Sequence, residues 1–200
     1  MALTLEFGVA GRIAQGQRVS GDLELVHYYQ DGSGALVAVI DGIDRGEPAA
    51  RNARRVANAL LEAPNLPMAT LLARCHSALR RTPGVAVGAA SIALQGQELH
   101  WFGVGSVRGV FWRAAPAGAH RPQLLSMSPG LLGAGDLPAL AASVMPLRAK
   151  DQLVIATDGI DGEFSRRAPY GSSAQAVADD IIARFAPRND DALVVVVRAN

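Results

Sequence analysis

Three short apolar runs constrain the fold of this chain more than any other feature of its sequence. They cover residues 35–40, 152–157 and 192–197 and consist mainly of Val, Ile, Leu and Ala. The last run, Ala-Leu-Val-Val-Val-Val, is too rich in β-branched residues and too uniformly apolar to form the surface of a helix. We therefore predict that the three runs are β-strands.

Each of these runs adjoins an acidic turn, and a fourth acidic turn precedes residues 23–29. The turns are Ser20-Gly21-Asp22, Asp41-Gly42, Thr157-Asp158-Gly159 and Asn189-Asp190-Asp191. A single Asp-Gly most often only stabilises a turn through its own side chain. Four acids at strand ends instead favour one shared carboxylate site, because the ends of neighbouring strands can meet in space despite large sequence separations.

The remaining segments predict further strands and three helices. A glycine-rich turn at 31–34 indicates an antiparallel hairpin between 23–29 and 35–40. Other strands are predicted at 3–14 and near 142–145, and 85–94, 99–105 and 107–112 are predicted to form an antiparallel meander. Helical spacing of apolar residues predicts helices from Glu47 to shortly before Pro64, over 68–79, and over 172–185 with Ser172 or Ser173 as the cap.

Two segments contain no predicted element, because 114–122 is rich in Ala, Pro and Gly and 130–137 is a glycine-rich break. We therefore expect an α+β fold with helices layered on antiparallel sheets. No internal repeat or long linker divides the sequence, and we expect one domain over residues 1–200.

Composition excludes several classes of function. Lys and Arg number 19 against 18 Asp and Glu, and no basic track with interleaved aromatic residues indicates binding to nucleic acid. No apolar stretch approaches the length of a membrane span, and the N-terminus does not resemble a secretion signal. The single cysteine, Cys75, excludes an internal disulfide, so we expect a cytoplasmic protein.

Carboxylates gathered in this way suit hard cations such as Mg²⁺ and Mn²⁺. The histidines at 27, 76, 100 and 120 show no metal-ligand spacing, so zinc is not expected. Two hard cations about 3.5–4 Å apart activate water and clamp the oxygens around phosphorus, which predicts hydrolysis of a phosphate ester. The segment 103–109 lacks dinucleotide-binding spacing, and neither a P-loop nor a Gly-x-Ser-x-Gly motif is present.

The order of the motifs resembles that of a known family. In sequence it runs Val-Ser-Gly-Asp (19–22), Val-Ile-Asp-Gly (39–42), Gly-Val-Gly-Ser-Val (103–107), Ala-Thr-Asp-Gly-Ile (156–160) and Asn-Asp-Asp-Ala (189–192). This order is similar to that of the PP2C superfamily of metal-dependent serine/threonine phosphatases. Within it, the chain most resembles the sporulation stage II E branch and its short stand-alone stressosome members. The resemblance implies a PP2C-like α-β-β-α sandwich of two mainly antiparallel sheets.

The resemblance also implies a site with two Mn²⁺ or Mg²⁺ ions. In it Asp41 would bridge the ions, the Gly42 carbonyl would bind one of them, and Asp158 and Asp190 would complete the ligands of the other. These three aspartates are the catalytic candidates that the resemblance implies. Asp22 would act mainly through metal-bound water, and Asp191 is a weaker candidate for the metal site.

The implied activity is removal of phosphate from phosphoserine or phosphothreonine by attack of metal-bound hydroxide, without a phosphoenzyme. The implied partner is a phosphorylated anti-sigma antagonist or a stressosome protein. Two alternatives remain: a non-catalytic binding module with the phosphatase fold in a partner-switching pathway, and an unrelated hydrolase of small phosphate esters.

One residue departs from the pattern of this branch, which usually has glycine where Asp44 stands. Either Asp44 tolerates the same unusual backbone angle, or it changes metal affinity; Arg45 could also assist phosphate binding. Other conspicuous residues have simpler explanations. Trp101 and Trp112 are predicted to be packing residues, Cys75 to lie on a buried helix face, and Arg51, Arg54 and Arg55 to form a solvated helix face.

Overall fold

The chain was analysed as a computed structural model that describes residues 3–29, 32–114, 120–167 and 173–200. The strands in these residues are β1 (Leu5–Arg12), β2 (Asp22–Tyr29), β3 (Gly34–Gly42), β4 (Val85–Ala93), β5 (Glu98–Val104), β6 (Arg108–Ala114), β7 (His120–Leu124), β8 (Ser143–Pro146), β9 (Gln152–Ala156) and β10 (Ala192–Ala199). The helices are α1 (Glu47–Leu61), α2 (Met68–Ala78), α3 (Phe164–Arg167) and α4 (Ala174–Phe185). All three apolar runs are strands, as predicted.

The strands form two five-stranded sheets. The first has the order β1-β10-β9-β6-β7, and the second has the order β2-β3-β4-β5-β8. All neighbouring pairs within each sheet are antiparallel. The predicted hairpin of β2 and β3 is confirmed, and its register places Asp22 opposite Asp41.

The two sheets pack face to face, and helices cover both outer faces. β3 illustrates why its sequence is apolar throughout. Val37 and Val39 belong to the core between the sheets, whereas Leu36 and Ile40 pack on the opposite face beneath α1 and α2. In the first sheet, α4 covers β1 and β10. The predicted α-β-β-α sandwich is confirmed.

Helix α1 shows how the sequence positions the strand ends. Glu47 and Pro48 form its first turn, where an acid and a proline both favour helix initiation. Ala49 in that turn packs against the end of β3, because a Cβ atom at Gly42 would lie 2.5 Å from the Ala49 carbonyl oxygen. A larger side chain at position 42 would therefore push the helix away from the strand ends that carry Asp22 and Asp41.

Two predictions about strand pairing and loops are wrong. β4 and β5 pair as expected, but β6 does not continue their meander and instead pairs with β7 and β9 in the first sheet. Gly105, at φ +86°, turns the chain from one sheet to the other, and Phe111 of β6 then joins the core between the sheets. Local spacing identifies β6 as a strand but contains no information about its partner.

The predicted loop at 114–122 is also shorter than expected, because β6 includes Ala114 and β7 begins at His120. The residues between them lie outside the described part of the chain. The helix predicted over 172–185 begins at Ala174, and its Ser173 cap accepts a hydrogen bond from the Ala176 amide at 3.1 Å. Ser172 lies outside the described residues, and the short helix α3 was not predicted.

The simpler expectations agree with the structure. Trp101 and Trp112 are buried, and the arginines at 51, 54 and 55 lie on the exposed face of α1, where Arg54 pairs with Glu47. Burial raises the pKa of the Cys75 thiol to about 12, which makes it an inert packing residue. Among the described residues, no helix has the length and apolar character that crossing a membrane requires.

Candidate metal centre

The four acidic turns meet where the starts of β2 and β10 lie beside the ends of β3 and β9. Asp22 and Asp41 are direct neighbours across β2 and β3. The charges of Asp158 and Asp191 act on Asp22, and those of Asp158 and Asp190 act on Asp41. The structure thus brings together all five aspartates that the sequence singled out.

Burial is the main cause of the unusual titration of the two central acids. Burial, followed by the charge of Asp41, raises the pKa of Asp22 to about 8. Burial, followed by the charge of Asp158, raises the pKa of Asp41 to about 6. A raised carboxyl pKa means that the local environment disfavours negative charge. A divalent cation placed among these oxygens would offset that penalty.

Two hydroxyl groups orient the central acids. Thr157 donates from Oγ1 to Asp22 Oδ2 at 2.9 Å and accepts a hydrogen bond from the Leu193 amide at 3.0 Å. This threonine therefore connects the second sheet, through Asp22, to β10 of the first. Ser106 donates from Oγ to Asp41 Oδ2 at 3.3 Å. The sequence motifs contain both residues, but the sequence analysis assigns neither of them a function. The position of Thr157 directly before Asp158, at the end of a predicted strand, could have indicated that its hydroxyl lies at the site.

Asp191 differs from the other acids because backbone amides already bind both of its oxygens. Its Oδ1 accepts from the Ala14 amide at 2.7 Å, and its Oδ2 accepts from the Gly21 amide at 2.8 Å. The side chain is buried. Asp191 thus ties the connection between β1 and β2 to the start of β10. Its role as a metal ligand stays a prediction, whereas its structural role follows from these contacts.

Asp158 and Asp190 lie on two turns that touch through their backbones. A Cβ atom at Gly159 would lie only 1.8 Å from the Asp191 carbonyl oxygen, so only glycine fits at this position. This contact brings the carboxylate after β9 beside the carboxylate before β10. Asp190 Oδ1 accepts from the Asp191 amide at 3.0 Å and from Arg45 Nη2 at 3.4 Å.

The loop between β3 and α1 presents Arg45 to this cluster. Asp44 and Gly46, the residues on either side of Arg45, have φ angles of 76° and 67°. Glycine adopts this left-handed region freely, and Asp tolerates it better than most residues do. The conformation agrees with the simpler interpretation of Asp44, namely that it replaces glycine at a position that requires a positive φ.

The donors at this centre fit a hard divalent cation. They are carboxylate and hydroxyl oxygens, and Mg²⁺ and Mn²⁺ prefer oxygen ligands. In the part of the chain that the structure describes, no three His, Cys, Asp or Glu side chains are arranged tightly enough to bind a metal ion as they stand. Without a cation, like-charged carboxylates repel one another. Two observations therefore indicate that a hard cation suits this centre: its donors are oxygens, and the pKa values of Asp22 and Asp41 are raised.

Solved structures share this fold over nearly the whole chain. A structure described under the words "the bacterial stressosome: a modular system that has been adapted to control secondary messenger signaling" has a TM-score of 0.86 and 25% identity, covering 98% of this chain and 100% of that one. RsbX in complex with magnesium has a TM-score of 0.82 and 18% identity, covering 98% and 96%. The catalytic domain of the phosphatase PstP, with two manganese ions, has a TM-score of 0.72 and 18% identity, covering 98% and 99%.

The sequence itself also matches a protein family. No curated protein matches the chain. The family model described as Stage II sporulation protein E matches residues 31–200, which include β3, β9, β10 and all but the first of the four acidic turns. The PP2C phosphatase domain of SpoIIE from Bacillus subtilis has the same fold, with a TM-score of 0.83 and 21% identity over all of this chain and 64% of that chain. The chain belongs to the stage II sporulation protein E family of PP2C-like phosphatases.

Proposed function

We propose that this protein is a Mn²⁺- or Mg²⁺-dependent protein serine/threonine phosphatase. The observation that carries the proposal is the placement of Asp41 between Asp22 and Asp158, where burial and neighbouring charge raise its pKa to about 6. Membership of the family and the fold shared with metal-containing phosphatases support the same conclusion.

The residues of the centre have separate roles in this proposal. Asp41, the Gly42 carbonyl, Asp158 and Asp190 would hold the metal ions, with Asp41 as their shared ligand. Ser106 and Thr157 hold the carboxylates of Asp41 and Asp22 in place. Two such ions lower the pKa of water and neutralise the charge of a phosphate ester. The chain supplies the fixed carboxylate geometry and, through Asp22, a further acceptor for water.

The proposed substrate is a small phosphorylated regulatory protein, either an anti-sigma antagonist or a stressosome subunit. Similarity to a bacterial stressosome protein and to RsbX supports this class. We further propose that residues 1–200 form one phosphatase domain that acts in the cytoplasm without binding nucleic acid. Its near-neutral charge agrees with a protein partner.

The alternative is a non-catalytic binding module with the same fold. Two observations favour it: the described acids do not form a ready-made metal cluster, and Asp44 adds a carboxylate to the loop beside the centre. Calorimetric titration with Mn²⁺ separates the two functions. Two binding events that Asp41→Asn abolishes support the enzyme, and no binding at all supports the module.

Hydrolysis provides the direct test. Mn²⁺ should stimulate hydrolysis of p-nitrophenyl phosphate and of a phosphoserine protein, and Asp41→Asn and Asp158→Asn should each lower the rate by about 100-fold or more. Asp180→Asn is the matched control, because Asp180 forms only a surface ion pair with Arg184. Equal rates in all four proteins would eliminate the assignment of the centre.

A further inference from the structure

A groove of about 450 Å³ lies beside the candidate metal centre. The start of β6, the end of β7 and the segment 161–166 around the start of α3 form its walls. Its lining combines charged and apolar side chains, and none of them belongs to the proposed ligand set. The proposed chemistry therefore does not account for this surface.

The groove lies at the same end of β6 and β9 as the centre. Arg108 in its wall pairs in register with Ala156, which lies two residues before Asp158. Ser106, two residues before Arg108, donates its hydrogen bond to Asp41. A polypeptide with a phosphorylated residue at the centre would therefore have the groove next to it for its flanking residues.

The Arg108 side chain packs against the backbone of this groove. A Cβ atom at Gly162 would lie 2.3 Å from Arg108 Nη1, so the guanidinium group rests directly on the backbone of the segment that follows Asp158. Arg108 is exposed to solvent, and its guanidinium group forms no hydrogen bond or ion pair with any residue that the structure describes. A surface cation that no described acid neutralises is suited to bind an external anion.

The acids nearest to Arg108 are already engaged. Glu163 pairs with Arg166 at 2.9 Å and with Arg167 at 3.9 Å. Asp161 accepts a hydrogen bond from the Glu163 amide at 3.0 Å and so stabilises the turn before α3. Leu124 at the end of β7 is 64% exposed and adds an apolar surface to the opposite wall.

We propose that this groove binds the polypeptide segment of the substrate protein that flanks its phosphoserine or phosphothreonine. Arg108 pairs with an acidic residue of that segment, and Leu124 contacts an apolar side chain of it. Because the groove lies beside the centre, the substrate's own chain is the occupant. Because no described acid neutralises Arg108, the groove selects an acidic segment of that chain. The inference rests on the proposed phosphatase function and adds to it a determinant of substrate selection.

The proposal is tested with two phosphoserine peptides that differ only in the residues flanking the phosphoserine. These residues are glutamates in one peptide and glutamines in the other. The measured quantity is the kcat/KM for the glutamate peptide divided by the kcat/KM for the glutamine peptide, both with Mn²⁺. Because both values come from the same variant, a change in its overall activity cancels in the ratio. The unchanged protein should prefer the glutamate peptide by about threefold, the size expected of a partly exposed ion pair. Arg108→Gln should bring the ratio to about 1, and Arg108→Glu should invert it.

Two further variants separate position from charge. Gly162→Ala should also lower the ratio toward 1, because the added methyl group displaces the guanidinium while its charge remains. Arg184→Gln is the control, because it removes an arginine from the surface of α4. It should leave the ratio unchanged from that of the wild-type protein. A preference that persists in Arg108→Gln, or no preference in the wild type, would overturn the proposal.

Failure of the proposed function gives a different result. If neither peptide nor p-nitrophenyl phosphate is hydrolysed, the phosphatase assignment fails, and the groove is then tested by binding alone. Fluorescence anisotropy with phosphonate analogues of the two peptides, which cannot be hydrolysed, gives the ratio of their Kd values. A preference for the glutamate peptide that Arg108→Gln removes supports the groove, and equal Kd values reject it.

Discussion

The two ends of β9 carry aspartates in opposite surroundings. Asp151 precedes the strand, is fully buried, and accepts hydrogen bonds from the Ala114 and Arg148 amides, each at 2.9 Å. The Arg113 guanidinium lies 3.7 Å from it. At the other end of the strand, beyond Asp158, Asp41 and Asp22 face each other, and each receives one hydroxyl hydrogen bond from another element.

This difference separates a structural acid from one available to a ligand. Backbone amides saturate the oxygens of Asp151 and hold its loop together. At the Asp158 end, burial and then the charges of neighbouring acids raise the pKa of Asp22 and of Asp41. Asp191 lies within the second region but has the environment of the first, with an amide on each oxygen. Position at a strand end therefore does not by itself separate a ligand from a structural acid.

The substitution Asp191→Ala tests the structural role of Asp191, and we expect it to have the largest effect on stability. The change leaves the amides of Ala14 and Gly21 without their acceptor, at about 1–3 kcal/mol each. We expect the free energy of unfolding to fall by about 3 kcal/mol or more, as measured by urea denaturation. Asp180→Ala, which removes only a surface ion pair, should cost less than about 0.5 kcal/mol. Similar losses in the two variants would contradict the structural role of Asp191.

The second prediction concerns Asp22 and pH. In the unfolded chain Asp22 releases its proton near its usual pKa of 3.8, whereas in the folded protein it does so near 8. Between these values the folded state binds more protons, so the stability of the metal-free protein should fall as the pH rises from about 4 to about 8. The Tm measured in EDTA should therefore decrease over this range.

Asp22→Asn isolates this contribution, because the amide does not titrate. Its Tm in EDTA should depend less on pH, and at pH 8 Mn²⁺ should stabilise the unchanged protein more than it stabilises the variant. Asp180→Asn again serves as the control. A pH dependence that is the same in all three proteins would show that another group causes the decrease.

The same comparison shows which features the sequence predicts. The strands 35–40, 152–157 and 192–197 and the acids at their ends follow from local composition, because an apolar β-branched run has few alternatives to a buried strand. Other contacts join residues that are distant in sequence. They are the pairing of β6 with β9, the hydrogen bond from the Ala14 amide to Asp191, and the packing of Arg108 against Gly162. No local pattern contains these contacts, so the sequence alone neither distinguishes Asp191 from the metal-ligand candidates nor identifies Arg108.

A smaller effect is expected from Arg45, whose guanidinium lies 3.4 Å from Asp190. Both side chains are largely exposed, so their pairing contributes only about 0.2–1 kcal/mol. A cation that binds Asp190 must compete with this pair, and Arg45→Gln should tighten Mn²⁺ binding by up to about fivefold in calorimetry. Arg54→Gln, which removes a surface pair with Glu47, should not change the affinity.

Arg45 has an alternative role that the same variant tests. If its guanidinium binds the phosphate of the substrate, Arg45→Gln should raise KM for p-nitrophenyl phosphate and weaken inhibition by inorganic phosphate. An unchanged Mn²⁺ affinity together with a raised KM would assign Arg45 to phosphate and not to competition for Asp190.

The smallest effect is expected at Asp44, where the backbone alone accounts for the residue. Its φ of 76° lies in the left-handed region, which costs most residues about 1–2 kcal/mol but costs glycine nothing. Asp44→Ala should therefore destabilise the protein by about 1 kcal/mol, whereas Asp44→Gly should leave it nearly unchanged, because relief of strain offsets the greater freedom of the unfolded chain. Urea denaturation measures both differences.

Metal titration of the same two variants separates backbone from charge at Asp44. If the residue only substitutes for glycine, Asp44→Gly should bind Mn²⁺ within about twofold of the unchanged protein, since an exposed charge outside the ligand set contributes little in a screened environment. A larger change that Asp44→Ala shares would mean that the carboxylate itself acts on the ions. Asp44 would then join Asp22 and Asp41 as an acid whose charge acts at the centre, in contrast to Asp151 and Asp191, whose oxygens accept hydrogen bonds from backbone amides.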